Sequence, residues 1–375
     1  MKKLCVFPND PLESYFKKGE IKKRYFNPKN LFSEIHVVSL FDSDTKEENV
    51  KMVAGDAELK IHVVGKTNLL NLKSKKQEIL QLIKEIKPDV IRSFNPLIQG
   101  WVATQIGKEL KIPVVISLHG DYDRDLRYHA KKNRNFKLFL KLIYSKYKLE
   151  SYSLKNADKV IIIYNFIRDY AKKLGAKDIT LIHNRIDLSQ FTPKDNYDIE
   201  KSIPIIICVG RLMSEKNQQC LIRAIKDLDV SLLLVGDGEQ YNELVLLIEE
   251  LGIKDKVKFK KSIPHNEIHK LYASANLFAL PIKYGGFSIP ELEAAASGLP
   301  VIVPKNEFGE NPEIVSDFAY FVDNNPDSFK DAIQKILNDK ELYLTLSNKG
   351  KESVKKINSD VTEEKEKQLY LDLLS

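Results

Sequence analysis

The chain has 375 residues, enough for two domains of ordinary size, and its 43% apolar content and mean hydropathy of −0.30 fit a soluble globular protein. Its 59 basic residues exceed its 52 acidic ones, a net charge of +7 that points to an anionic partner and leaves nucleic acid, anionic lipid and phosphorylated sugars open. Cys5, Cys208 and Cys220 have neither metal-ligand spacing nor a disulfide framework, which fits a reducing cytoplasm. No run approaches the ~18 apolar residues of a spanning helix, and Leu4 to Phe7 is too short before Pro8 for a signal peptide.

Short apolar, β-branched runs alternate with helical patterns along the chain. The first half is expected to hold strands at Leu4 to Phe7, Ile35 to Val38, Ile61 to Val64, Asp89 to Ser93, Val114 to Leu118 and Lys159 to Ile163. The second is expected to hold Ile203 to Val209, Val230 to Val235, Val257 to Phe259, Leu277 to Leu280 and Val301 to Val303. Helical spacing marks Lys75 to Ile86, Gln99 to Leu110 and Tyr241 to Leu251 between them. Strands with almost no polar alternation are buried on both faces, so they belong to parallel sheets covered by helices.

A polar stretch containing Pro193 separates the halves. The expected organisation is an N-terminal domain over 1–190, a linker over 191–203 and a C-terminal domain over 204–350. A last helix over 351–375 is free to pack back on the first domain. Two such halves put a cleft between the domains, and ligands of such sheets sit beyond the carboxyl ends of the strands.

Chemistry is therefore sought just after each strand. Val209-Gly-Arg-Leu-Met-Ser-Glu-Lys216 leads into an amphipathic helix. Gly210 turns the chain, while Arg211 and Lys216 flank a helix start, where free N–H groups already favour an anion. A guanidinium fork and a mobile ammonium suit phosphate oxygens; the plainer reading is surface charge on a turn. After Leu277 to Leu280, Gly285 and Gly286 allow close backbone approach, and Phe287 follows. Ser288 or Ile289 stands at a helix cap, and Glu293 in the early turns can accept hydrogen bonds from ribose hydroxyls; the plainer reading there is an ordinary strand–helix unit with an exposed glutamate. Val235-Gly-Asp-Gly238 reads as a tight turn. No glycine-rich dinucleotide fingerprint follows the first strand, which speaks against a nicotinamide or flavin enzyme. His119, directly after Val114 to Leu118, brings an imidazole to the carboxyl edge, with Gly120 keeping the approach open; a lone histidine is as often structural.

Between 127 and 159, Arg127, Lys131, Lys132, Arg134, Lys137, Lys141, Lys146, Lys148, Lys155 and Lys159 stand against only Glu150 and Asp158. Phe136, Leu140, Ile143 and Tyr147 recur there at helical spacing. Such a helix can lie on an anionic membrane surface, or pack on the N-terminal sheet with a solvated basic face. No nucleic-acid-binding motif accompanies the charge, so nucleic acid is not an expected partner.

Together these segments resemble the retaining glycosyltransferases of family GT4, which have the GT-B fold: two Rossmann-like α/β domains with parallel sheets facing an inter-domain cleft. Val209-Gly-Arg-Leu with Lys216 is similar to that family's pyrophosphate site, and Gly285 to Pro300 to its donor loop and helix. Leu234-Val-Gly-Asp-Gly-Glu, Leu271-Tyr-Ala-Ser-Ala-Asn276 and Ile182-His-Asn-Arg-Ile-Asp-Leu-Ser-Gln-Phe-Thr-Pro193 match its intervening and linking segments. The resemblance implies a nucleoside-diphosphate-sugar co-substrate, no bound cofactor or metal, and a polysaccharide, glycolipid or small glycoside acceptor. The setting it implies is the cytoplasm, with the inner membrane face open as a peripheral site. It assigns catalysis to His119, Arg211 and Lys216, and donor binding to Gly210, Arg211, Lys216, Gly285, Gly286, Phe287, Ser288, Ile289 and Glu293. One departure matters: the family's donor motif has two glutamates separated by seven residues, Glu293 matches the second, and Gly285 stands where the first belongs. A catalytically silent nucleotide- or partner-binding subunit, or a sugar-nucleotide epimerase, therefore stands as an alternative. The lysine motif of the phosphorylases is not evident.

Overall fold

A computed structural model describes residues 2–193, 197, 203–261, 263–264, 267–283, 288–305 and 313–375. They form two compact units, 1–184 with 360–375, and 185–359. The described residues of the expected linker over 191–203 fall in unit 2, and the chain returns to unit 1 at 359/360.

Unit 1 contains β1 (Lys3–Phe7), β2 (Glu34–Ser39), β3 (Glu58–Val63), β4 (Val90–Ser93), β5 (Val114–Leu118), β6 (Lys159–Ile162) and β7 (Ile179–Leu181). All pair in parallel, in the order β3-β2-β1-β4-β5-β6-β7. Unit 2 contains β8 (Ile205–Val209), β9 (Ser231–Val235), β10 (Val257–Lys260), β11 (Leu277–Ala279), β12 (Val301–Pro304) and β13 (Tyr320–Val322). These are also parallel, ordered β10-β9-β8-β11-β12-β13. Central strands are buried on both faces: Leu4, Cys5, Val6 and Phe7 of β1 and Leu277, Phe278 and Ala279 of β11 have no exposed surface. Burying each large apolar side chain contributes roughly 1.5–3 kcal/mol, which favours unbroken apolar runs here over alternation.

The helices that matter below are α1 (Leu72–Ile86), α2 (Ile98–Leu110), α3 (Phe136–Ser145), α4 (Gln218–Ala224), α5 (Ile268–Ser274), α6 (Ile289–Ala296), α7 (Lys340–Lys355) and α8 (Ser359–Leu374). α1 buries Ile79, Leu80, Ile83 and Ile86, the helical spacing visible in the sequence, and ends where Lys87 turns left-handed. α8 is fastened to unit 1 by charge as well as packing. Glu366 pairs with Arg92 of β4, whose guanidinium also donates to the Tyr370 hydroxyl (2.7 Å) and the Ser117 hydroxyl (2.8 Å). Nearer the start of α8, Glu363 pairs with Arg24 at 3.0 Å and Asp360 with Lys29 at 2.6 Å.

The strand orders position the sites. In both sheets the order reverses beside the first strand, between β1 and β4 and between β8 and β11. At such a switch point the loops diverge and leave a crevice at the strand ends. In unit 2 the loops bordering that point are the ones after β8 and β11, the two segments singled out from the sequence.

Candidate functional site

The loop after β8 begins at Gly210 and is braced from β9. The amide of Leu212 donates to the Asp237 carbonyl at 2.9 Å, and the Gln240 amide donates to the Leu212 carbonyl at 3.0 Å. Gly236 has a φ of +146°, and a Cβ there would stand 2.1 Å from the Gly210 carbonyl oxygen; one on Gly238 would stand 2.2 Å from the Leu212 carbonyl. The Gly-Asp-Gly segment is thus more than a tight turn: its glycines let the β9 loop press on the Arg211 loop. The Gln218 side chain donates to the Arg211 carbonyl at 2.9 Å and ties the loop to α4. From the β11 side, the Lys283 amide donates to the Glu215 carbonyl at 2.8 Å.

The two cations of this loop are handled differently by the fold. The Arg211 side chain is exposed. Lys216 is half-buried, and its methylenes run 3.7–3.9 Å from where a Gly210 Cβ would be. Neither ion-pairs with a carboxylate among the described residues. Desolvation lowers the Lys216 pKa, Glu291 and Cys208 push it back up, and Arg211 adds to the lowering.

Gly285, Gly286 and Phe287 lie outside the described residues. Ser288 is extended (φ −121°, ψ 153°) and caps α6, and Ile289 is the first residue of that helix. Ser288 and Glu291 form a reciprocal capping box, with Pro290 in the first turn. Glu293 is 2% exposed and accepts from the Tyr272 hydroxyl of α5 at 2.9 Å. The exposed glutamate of the plainer reading is therefore not what the fold shows. Sequence reasoning passed over Glu291, a buried acid two residues away whose pKa burial raises to about 7, against the pull of Ser288 and Lys216. The Ser288-x-x-Glu291 spacing was the signal that could have found it.

In unit 1, His119 follows β5 and is exposed. Its ring lies 6.2 Å from that of Phe94 at 22°, and the Arg92 guanidinium sits 4.6 Å from the Phe94 centroid. Desolvation, and then Arg92, lower its pKa from the ordinary imidazole value. A Cβ on Gly120 would meet nothing within 4 Å, so the space beside His119 is open.

The basic segment departs from the reading that packs it on the N-terminal sheet. None of the residues of α3 is buried: Phe136 is 68% exposed, Leu140 67% and Tyr144 52%, and Tyr147 just beyond it is 67% exposed. The helix does not pack its apolar stripe on the sheet. Arg127, counted with the basic face from the sequence, is instead 3% exposed and held by Glu150 (2.9 and 3.0 Å), Asp123 (2.6 Å) and the Tyr170 hydroxyl (2.5 Å). Lys146 pairs with Asp123, and Lys159 with Asp178. Arg127 and Lys146 fasten the π-helical turns 123–127 and 146–150, between which α3 is displayed.

Two parallel α/β units, with a braced basic loop at the switch point of the second, define the GT-B class of proteins. Comparison places the chain within it: "Glycosyltransferase Family 4" matches residues 33–190 and "Glycosyl transferases group 1" matches residues 190–353. The chain belongs to this family of glycosyltransferases. It is 27% identical over 323 residues to the UDP-Gal:alpha-D-GlcNAc-diphosphoundecaprenol alpha-1,3-galactosyltransferase of Escherichia coli, covering 79% of this chain and 78% of the relative. It is also 27% identical over 276 residues to the uncharacterized glycosyltransferase MJ1178 of Methanocaldococcus jannaschii, covering 72% and 71%. Among solved structures, Anabaena Alr3699/HepE in complex with UDP superposes with a TM-score of 0.75 at 16% identity, covering 99% of this chain and all of that one. That last likeness is one of fold.

Proposed function

We propose that the chain is a retaining, metal-independent glycosyltransferase that moves a sugar from a nucleoside-diphosphate-sugar to a polysaccharide, glycolipid or small glycoside acceptor. One observation carries this reading: Arg211 and Lys216 share one loop at a switch point, with no carboxylate among the described residues paired to either. Two like charges held together in this way need an anion, and a diphosphate supplies one. That the UDP-binding Alr3699/HepE shares the fold agrees with it. In the reaction, an acceptor hydroxyl attacks the anomeric carbon from the face that the diphosphate leaves. The bond to the leaving oxygen breaks, the new glycosidic bond forms, and the acceptor proton passes to the departing phosphate. Arg211 and Lys216 stabilise charge growing on that phosphate, the part a metal would otherwise take. Glu293 and its Tyr272 partner stand on the nucleotide side, and His119 hydrogen-bonds the donor sugar.

Arg211→Ala and Lys216→Ala should each weaken UDP or GDP binding by roughly 1.5–3 kcal/mol, the worth of a charge-assisted hydrogen bond. Unchanged affinity in both variants, measured by calorimetry, would remove the phosphate assignment. Because Gly285 replaces the first donor-motif glutamate, the second reading is a catalytically silent nucleotide-binding subunit. Incubation with a panel of nucleotide sugars separates the two: transfer or hydrolysis marks the enzyme, binding without turnover the silent subunit, and conversion of the donor sugar without acceptor an epimerase.

The acceptor side carries a further part of the proposal. The exposed stripe Phe136, Leu140, Tyr144 and Tyr147, bordered by Lys137, Lys141 and Lys148, suits an anionic membrane surface. Among the described residues no helix is long and apolar enough to cross a membrane. The proposed location is the cytoplasm, peripheral on the inner face of the membrane, where the three buried free cysteines would stay reduced.

A further inference from the structure

The switch points of the two sheets carry different side chains. The one in unit 2 is bordered by Arg211 and Lys216, and the one in unit 1, between β1 and β4, by an acid and two amides. Phe7 of β1 and Ser93 of β4 are register partners, so Asn9 and Asp10 leave the sheet level with Asn95. Asn95 is 2% exposed, and its neighbours fix it. Its Oδ1 accepts from the Leu97 amide at 2.9 Å, and its carbonyl accepts from the Ser93 hydroxyl at 2.8 Å. A Cβ on Gly100 would stand 2.4 Å from that carbonyl, so a glycine there lets the loop lie against α2. From this fixed point the Asn95 side-chain amide donates across the crevice to Asn9 Oδ1 at 2.9 Å. The Asn9 amide in turn donates to Asp10 Oδ2 at 2.9 Å. The Tyr15 hydroxyl, from the helix Leu12–Lys17, donates to the same oxygen at 3.3 Å. Asp10 itself is exposed. Among the described residues no cation pairs with it and no bond reaches its Oδ1. One oxygen of this carboxylate is held by a chain anchored in the core, and the other is left for what enters.

A carboxylate only accepts hydrogen bonds; it draws hydroxyl donors in short, charge-assisted bonds and repels phosphate. An uncharged ligand rich in hydroxyls is what such a group selects. His119 leaves the sheet level with Asp10, since Ser93 is also the register partner of Ile116. β5 lies two strands from β1, a distance of roughly 10 Å. We propose that Asp10 binds the acceptor: its Oδ1 takes hydrogen bonds from sugar hydroxyls that do not react, and the accepting end of that substrate is an uncharged saccharide and not a phosphate-bearing group. Asn95, Asn9 and Tyr15 are positioning residues that hold the carboxylate at the crevice. The inference rests on the reading that the chain is a glycosyltransferase whose Arg211–Lys216 loop holds the diphosphate.

The test is ligand-observed NMR of the full chain in excess UDP. The probes are the methyl glycosides of glucose, galactose, mannose and N-acetylglucosamine, with glucose 6-phosphate as the charged counterpart. At least one methyl glycoside should bind wild type, and glucose 6-phosphate should bind more weakly. Asp10→Ala should weaken the glycoside by at least about tenfold, the loss of one charge-assisted hydrogen bond. Asp10→Asn keeps the shape without the charge, so it should lose less glycoside affinity and narrow the gap to glucose 6-phosphate. Tyr15→Phe should weaken the glycoside by a smaller factor than Asp10→Ala. Thermal unfolding of Asp10→Ala should match wild type, which separates a lost contact from a lost fold. Unchanged glycoside affinity in Asp10→Ala, equal binding of glucose 6-phosphate and the glycosides by wild type, or no glycoside bound at all would each overturn the proposal. UDP affinity, measured by calorimetry, reports on the Arg211 loop, so the two readings fail separately. If Arg211→Ala and Lys216→Ala leave it unchanged, the phosphate assignment falls whatever Asp10→Ala does to the glycoside.

Discussion

Unit 1 and unit 2 both place arginines near strand ends and use them in opposite ways. In unit 1, Arg127 has its donors spent on Glu150, Asp123, the Leu142 carbonyl and the Tyr170 hydroxyl. Arg92 is likewise closed in by Glu366, Tyr370 and Ser117. In unit 2, Arg211 is exposed and Lys216 half-buried, and neither ion-pairs with a carboxylate among the described residues. A guanidinium that is buried and paired with a carboxylate fastens one piece of chain to another, whereas two cations kept on a braced loop with no described carboxylate paired to them are arranged for something that arrives. Charge counted along a sequence cannot tell these apart, and partners can.

The comparison breaks most visibly in stability. Arg127→Ala leaves Glu150 buried with its strongest partner gone, and should cost roughly 3–5 kcal/mol. Arg211→Ala, at an exposed position, should change stability by less than about 0.5 kcal/mol. Urea unfolding of the two variants measures both, and similar losses would erase the distinction between fastener and site.

A smaller effect tests whether the unit 2 loop is braced at all. Gly236→Ala would drive a methyl group against the Gly210 carbonyl, with backbone on both sides and no flexible side chain to yield. Strain of this kind typically costs about 1–3 kcal/mol. Because the strain falls on the residue before Arg211, UDP affinity should fall with it. A variant that melts and binds like wild type would mean that the β9 loop does not set the position of Arg211.

Much of the fold was open to reading, for reasons tied to burial. β5 lies where the sequence placed it, and the other ten expected strands appear within a few residues of their expected bounds, because apolar runs buried on both faces leave a plain signal. β7 and β13 were missed: each is a three-residue edge strand, and β7 has no fully buried residue, so neither makes a run. In the site, Gly210, Arg211, Lys216 and Ser288 stood out because they follow strands next to a switch point. Glu291 did not: the Ser288-x-x-Glu291 spacing marks it as a helix cap, but its burial is set by the folded chain. Arg127 was misread for the same reason. Its partners Glu150 and Tyr170 are 23 and 43 residues away, and only the folded chain brings them together.

The smallest expected effect carries the comparison of spent and unspent cations to the surface of unit 1. Lys137 and Lys141 project from α3, where no residue is buried, whereas Lys146 is tied to Asp123 at 2.5 Å. A free lysine near an anionic bilayer contributes about 1 kcal/mol, and a lysine already paired contributes less, because its field is partly cancelled before the lipid is reached. Lys137→Ala and Lys141→Ala should therefore each weaken sedimentation with phosphatidylglycerol vesicles by about five-fold, and Lys146→Ala by a smaller factor. Added salt should reduce the difference, and phosphatidylcholine vesicles should bind all forms weakly. Replacing Phe136 and Leu140 with serine should weaken binding at every salt concentration, since the apolar contribution is not screened. Equal sedimentation of wild type with neutral and anionic vesicles would leave the exposed stripe without a membrane to meet. Equal losses for Lys137→Ala and Lys146→Ala would show that an ion pair at this surface does not remove a cation from the count.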